Sequence, residues 1–246
     1  MFTPEEREGL REALIAAARA DNRLSGVALT GSAARGNLDK WSDIDLAFGL
    51  VDPAKMPEAL EDWTQRMYRE HGAVHHFDVT RAAWVYRVFL LQNTLQVDLA
   101  FAPASEFGAL SPTFKLLSGS SVDLPHTQPA AAEELIGLGW LYALHARSCI
   151  KRGKVWQAEY MISAVRDKAL AVAALRHGFS TVEGRGFDKL PRTEAAPFEG
   201  ALVRSLDNDE LRRAFRVATD CLLNEIRSSD PALAGRLEGP VTELSS

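Results

Sequence analysis

Apolar positions change their spacing repeatedly along the first hundred residues, and each change marks an element. Residues 3–20 show helical spacing behind Thr3, Pro4 and Glu6, the residue types of an N-cap, a first helical position and a capping box. Residues 26–30 form a short apolar run that suits a buried strand. Residues 42–48 alternate polar with apolar at their start, as a strand does when one face lies in the core and the other in a cleft. Residues 53–70 predict a helix ended by His71-Gly72. Residues 73–80, 84–91 and 94–101 predict three more strands, the last two joined by a tight turn at Gln92-Asn93.

After Pro103 the periodicity fades into a turn-rich connector containing Ser111-Pro112, Ser118-Gly119-Ser120-Ser121 and Leu124-Pro125. A domain boundary is expected there, giving a first domain of residues 1–125 and a second of residues 126–246. Beyond Pro129 the chain reads as helix. One apolar stripe runs through Leu135, Leu138, Tyr142, His145 and Cys149, and another through Ala158, Ile162, Val165, Ala169 and Val172. Residues 178–197 read as a loop-rich interruption and residues 207–227 as a further amphipathic helix. The expected fold class is α+β: a mixed, about five-stranded sheet with flanking helices, followed by a helical bundle.

Composition narrows the function. With 246 residues, 46% hydrophobic and 25% charged, the chain is neither disordered, fibrous nor disulfide-dense. A formal net charge of -5 argues against retention on nucleic acid by bulk charge, so any phosphate binding must be local. Nucleic acid is therefore not an expected partner. The longest apolar run, about residues 169–175, is far short of the ~20 residues that span a bilayer, and Met1 to Glu8 lacks the apolar core of an export signal. Two thiols, Cys149 and Cys221, are too few for a disulfide scaffold and lack metal-type spacing. The expected setting is the reducing cytoplasm, with no membrane partner.

The chemistry concentrates between Thr30 and Leu46, where a small-residue turn after one strand is followed by an Asp-x-Asp pair in the next. Side chains two apart on a strand share a face, so Asp43 and Asp45 converge and repel unless something neutralises them. Mg2+ is the usual solution, since it takes hard oxygen ligands from carboxylates and substrate phosphates. Asp98 is a third acid in an otherwise apolar strand, and lying beside the first pair it would complete a site able to hold two ions. Gly31 lets backbone N–H groups approach a phosphate; Ser32 adds a hydroxyl and Arg35 a cation. Neither a Gly-x-x-x-x-Gly-Lys-Ser/Thr loop nor a Gly-x-Gly-x-x-Gly turn is present.

Gly31-Ser32, the Asp43-x-Asp45 pair, the isolated Asp98 and the helical half together resemble the nucleotidyltransferase superfamily that includes DNA polymerase beta. The likeness is closer to its small antibiotic-modifying members, the aminoglycoside and lincosamide nucleotidyltransferases. Residues 27–50 carry most of it. The resemblance implies that Asp43, Asp45 and Asp98 hold metal and that Gly31, Ser32 and Ser42 border the triphosphate. It implies a nucleoside triphosphate, ATP first, as co-substrate, two Mg2+ ions, and transfer of a nucleoside monophosphate to a hydroxyl of a small molecule with release of pyrophosphate. Two alternatives stand beside it: nucleotidylation of a protein or RNA target, and a non-catalytic nucleotide-binding regulatory module.

The second half is expected to shape the acceptor site. Glu159 and Arg166 fall on nearly one line of a helix, bordering the apolar stripe. Glu159 is the candidate general base, with Lys154 or Arg166 near the phosphates; a domain-interface salt bridge is the competing role. The basic cluster of Arg147, Lys151, Arg152 and Lys154 reads first as a solvated helix end. His75-His76 reads as surface or cleft wall, because adjacent strand residues point to opposite faces. His145 and Cys149 read as core packing. Trp41, Trp84, Trp140 and Trp156 read as buried, Trp41 alone lying near the acids. A homodimer is compatible with this sequence.

Overall fold

A computed structural model describes residues 1–245 in two compact units that divide between Thr127 and Gln128. The first unit opens with α1 (Pro4–Ala20). Its capping box is complete: the Thr3 hydroxyl accepts from the Glu6 amide, and the Glu6 carboxylate accepts from the Thr3 amide. Helix α1 buries Leu14 and Ala18 completely, an apolar transfer of about 2 kcal/mol for the leucine alone.

There follow β1 (Leu24–Thr30), the one-turn α2 (Gly31–Ala34), β2 (Ile44–Leu50), α3 (Met56–Glu70), β3 (Ala73–Arg81), β4 (Trp84–Leu91), β5 (Gln96–Pro103) and β6 (Phe114–Gly119). The strands form one mixed sheet in the order β3-β4-β5-β2-β1-β6, antiparallel except for the parallel β2/β5 pair. Ile44, Leu46 and Phe48 of β2 and Val97, Leu99 and Phe101 of β5 point to one face. There they pack under α1 and α3 with Leu14, Trp63 and Met67. The opposite face carries small residues at its centre, Ala28, Ala47, Ala100 and Ala102. Alternation along the two parallel strands thus sets these alanines opposite the helical layer, buried in one cluster with Trp84 and Phe107.

Three expectations for this unit change. The sheet has six strands, because the connector holds β6, an edge strand whose last residue, Gly119, sits at φ +77°; a Cβ there would lie 2.1 Å from the Ser25 carbonyl oxygen. Strand β2 starts at Ile44, so Asp43 belongs to the loop before it. The turn between β4 and β5 spans two residues more, with Thr94 left-handed at φ 70°.

The second unit consists of α4 (Ala132–Lys151), α5 (Val155–Arg176), α6 (Arg192–Glu199), α7 (Asn208–Ser229) and α8 (Pro231–Leu244) around one apolar core. The stripe of α5 is buried as expected at Ala158, Ile162, Val165, Ala169 and Val172. That of α4 is rotated: Leu135, Ile136, Gly139, Ala143, Ala146, Cys149 and Ile150 are buried, and His145 is exposed, so its expected core role is wrong. Small residues share this face with the larger ones, and Gly139 leaves room for α7, since a Cβ there would lie 2.9 Å from Leu222 Cδ1. The segment read as loop contains α6. Trp140 and Trp156 are exposed, against expectation, while Trp84 is buried. No helix among the described residues is long and apolar enough to cross a membrane.

Candidate active site

Strand register brings the acids together. The parallel β2/β5 pairing sets Asp45 directly beside Asp98, and Asp43 precedes the strand by one residue. Asp43, Asp45 and Asp98 are half-buried and each offers a carboxylate oxygen within 4.8 Å of the others. Such a gathering is costly. Burial first, and the charge of Asp43 second, push the Asp98 carboxyl up to about 6, against a hydrogen bond from Gln96 Nε2 at 3.0 Å that pulls it down.

The turn after β1 closes over the same carboxylates. Gly31 takes φ +59°, and a Cβ on it would lie 2.0 Å from Asp45 Oδ2, so only glycine fits there. Its neighbour Ser32 has a buried hydroxyl with no hydrogen-bond partner among the described residues. An orphaned buried hydroxyl costs about 1 to 3 kcal/mol, and at a glycine turn beside three acids it fits an oxygen of a bound ligand. The amides of Arg35, Gly36 and Asn37 turn back onto the carbonyls of Ser32 and Ala33, which winds the loop tightly. Arg35 is exposed at the end of α2.

Ser42 is engaged locally. Its hydroxyl accepts from the Asp39 amide at 2.9 Å and bonds Asp39 Oδ1 at 3.1 Å, while Oδ1 also accepts the Trp41 amide at 2.8 Å. Trp41 is 63% exposed, with the Lys40 ammonium over its ring. Beyond Asp98 the register continues outward: Asp98 faces Val88 of β4, and Val88 faces Phe77 of β3, which is 55% exposed. A cleft of about 400 Å³ between α1 and α3, lined by Asp21, Arg23 and Trp63 among others, contains none of the three acids.

In the second unit, Lys154 is the exposed N-cap of α5. Glu159 is half-buried and its Oε1 accepts the Ser163 hydroxyl at 2.8 Å. Arg166 donates to Asp167 and not to Glu159. Trp156 and Tyr160, one helical turn apart, are 74% and 67% exposed. His75 is exposed, and His76 Nδ1 lies 3.0 Å from the Tyr68 hydroxyl. Neither belongs to a metal-type cluster among the described residues.

Three residues of the site had no sequence signature. Gln96 steadies Asp98, Asp39 ties the loop ahead of Asp43, and Arg7 on α1 buries its guanidinium against that loop. Only the Asp39-x-x-Ser42 spacing, typical of a side-chain-closed turn, could have pointed to the second.

A carboxylate trio that could hold a metal ion, a glycine turn pressed against it and an orphaned hydroxyl thus lie together at one end of the β2/β5 pair. Residues 11–114 match the family model described as the nucleotidyltransferase domain. The first unit therefore carries a nucleotidyltransferase domain. No curated protein matches it in sequence. Among solved structures it is similar to an aminoglycoside 6-adenyltransferase from Bacillus subtilis, with TM-score 0.42 and 13% identity over 97% of this chain and 98% of that one.

Proposed function

We propose that this enzyme moves a nucleoside monophosphate, AMP first, from a nucleoside triphosphate to a hydroxyl of a small molecule, with release of pyrophosphate. The observation that carries the reading is the packing of three carboxylates against the Gly31 turn. Asp43, Asp45 and Asp98 would hold Mg2+, two ions in the full complex. When bound, Mg2+ neutralises the acids and polarises the phosphate undergoing attack.

The residues divide the work by position. Gly31 and Ser32 lie on the β1 side of the acids, and there the backbone and the orphaned hydroxyl take triphosphate oxygens, with Arg35 and Ser42 at the rim. Asp98 is the outermost acid, on the β4 side, and so orients the acceptor hydroxyl. Residues 1–125 form the catalytic domain and residues 126–246 bind the acceptor. Glu159 is assigned as general base, held by Ser163, with Lys154 and Arg166 as phosphate contacts. The exposed Trp156 and Tyr160 give α5 flat aromatic surfaces of the kind on which sugar rings stack.

Pyrophosphate release over ATP, GTP, CTP and UTP, with aminoglycosides and lincosamides leading an acceptor panel, tests this directly. Asp45→Asn is expected to lower turnover by about 10³-fold or more with the fold intact. Turnover unchanged in Asp45→Asn would remove that residue from the mechanism. A nucleotidyl mass appearing on protein, with no small acceptor used, would replace the small-molecule assignment.

A further inference from the structure

Arg7 is the one buried charged side chain among the described residues of the first unit, 5% exposed. The capping box fixes its place on the first turn of α1. It forms no ion pair with a carboxylate among the described residues. Instead its Nη1 donates to two backbone carbonyls of one turn, those of Asp39 and Ser42, the second at 3.1 Å, while its Nε is buried without a partner. Burying a guanidinium costs several kcal/mol, and here the 39–42 segment offsets that cost, through two of its carbonyls and the attraction of the Asp39 carboxylate.

The same turn is closed from its outer side by its own groups: the Asp39 carboxylate takes the Trp41 amide, and the Ser42 hydroxyl takes the Asp39 amide. Arg7 is thus the link between this turn and α1, and the peptide after the Ser42 carbonyl leads straight into Asp43. We infer that Arg7 is a positioning residue that clamps the 39–42 turn to α1 and thereby sets Asp43 at the distance from Asp45 and Asp98 that divalent-cation binding requires.

The inference rests on the metal reading above, and its test separates the two. The full chain, as wild type, Arg7→Gln, Arg7→Lys and Asp45→Asn, is titrated with Mn2+ and the free ion counted by electron paramagnetic resonance. Amide hydrogen exchange is followed over residues 39–43. Residues behind the ligands typically alter metal affinity by 10- to 100-fold. Arg7→Gln is expected to weaken Mn2+ binding about 10-fold and to speed exchange at Trp41 and Ser42. Arg7→Lys, which keeps the charge but not the planar guanidinium, falls between and covers the case in which Arg7→Gln does not fold. Asp45→Asn loses Mn2+ but keeps slow exchange. Unchanged Mn2+ affinity in folded Arg7 variants overturns the inference while leaving the metal site in place. Mn2+ binding that survives Asp45→Asn overturns the metal reading, and this inference with it.

Discussion

Asp98 in the first unit and Glu225 in the second are both carboxylates withdrawn from water, and in both burial is the largest influence pushing the pKa up. They differ in company. Around Glu225 the fold supplies a cation: Arg176 of α5 reaches its Oε2 at 3.3 Å and also serves Glu194 of α6, which His177 joins at 2.9 Å. Around Asp98 it supplies a neutral amide from Gln96 and two further carboxylates. A buried acid with its counter-charge built in is architecture, tying three helices together. One set against carboxylates of its own sign is where the proposed Mg2+ would supply that charge.

The contrast breaks most completely at Gly31. Gly31→Ala puts a methyl 2.0 Å from Asp45 Oδ2 and demands a left-handed alanine. The carboxylate must move, and pyrophosphate release is expected to fall by about 100-fold or more, since an ångström of misplacement is worth that much. Arg176→Met strips Glu225 of its cation and should cost about 1 to 2 kcal/mol, less than a fully buried pair because both partners touch solvent. A lower melting temperature with activity retained below it is the expected result.

Asp98→Asn should act in the opposite sense. The folded chain holds the Asp98 proton up to about 6, whereas the unfolded chain releases it near 3.8, so stability falls as pH rises through that window and stays low above it. Asparagine removes that deficit. At pH 7.5 the variant is expected to melt a few degrees higher, by about 1 kcal/mol after allowing for solvent screening, with the gain gone by pH 4 and activity lost throughout. Mg2+ should raise the melting point of the wild type and not that of the variant. The smallest change calibrates the others: Thr3→Ala loses the α1 cap at about 1 kcal/mol, equally with and without Mg2+.

The sequence announced elements wherever a local rule was strong. Thr3, Pro4 and Glu6 fixed the start of α1, and the alternation around Asp45 and the apolar run around Asp98 marked the two central strands. It was silent where the rule was weak or tertiary. Strand β6 is a short edge between serine, proline and glycine clusters, so its pattern reads as turn. Helix α6 carries Pro197 and α8 carries Pro240 inside them. The α4 stripe was misjudged because its contacts are made by Gly139, Ala143 and Ala146, which weigh little in any hydrophobic count. Arg7 looks like one more charge on a polar helix; its burial comes from the turn folded over it.

The sheet joins two sub-assemblies along a single parallel seam: the β3-β4-β5 meander on one side and β1, β2 and β6 on the other. Asp43 and Asp45 arrive with one and Asp98 with the other. A slip of one residue along that seam would swing Asp98 round to the layer beneath α1 and α3. A doubly charged ion gripping both margins would therefore act as a rivet, penalising misalignment while it readies the chain for chemistry.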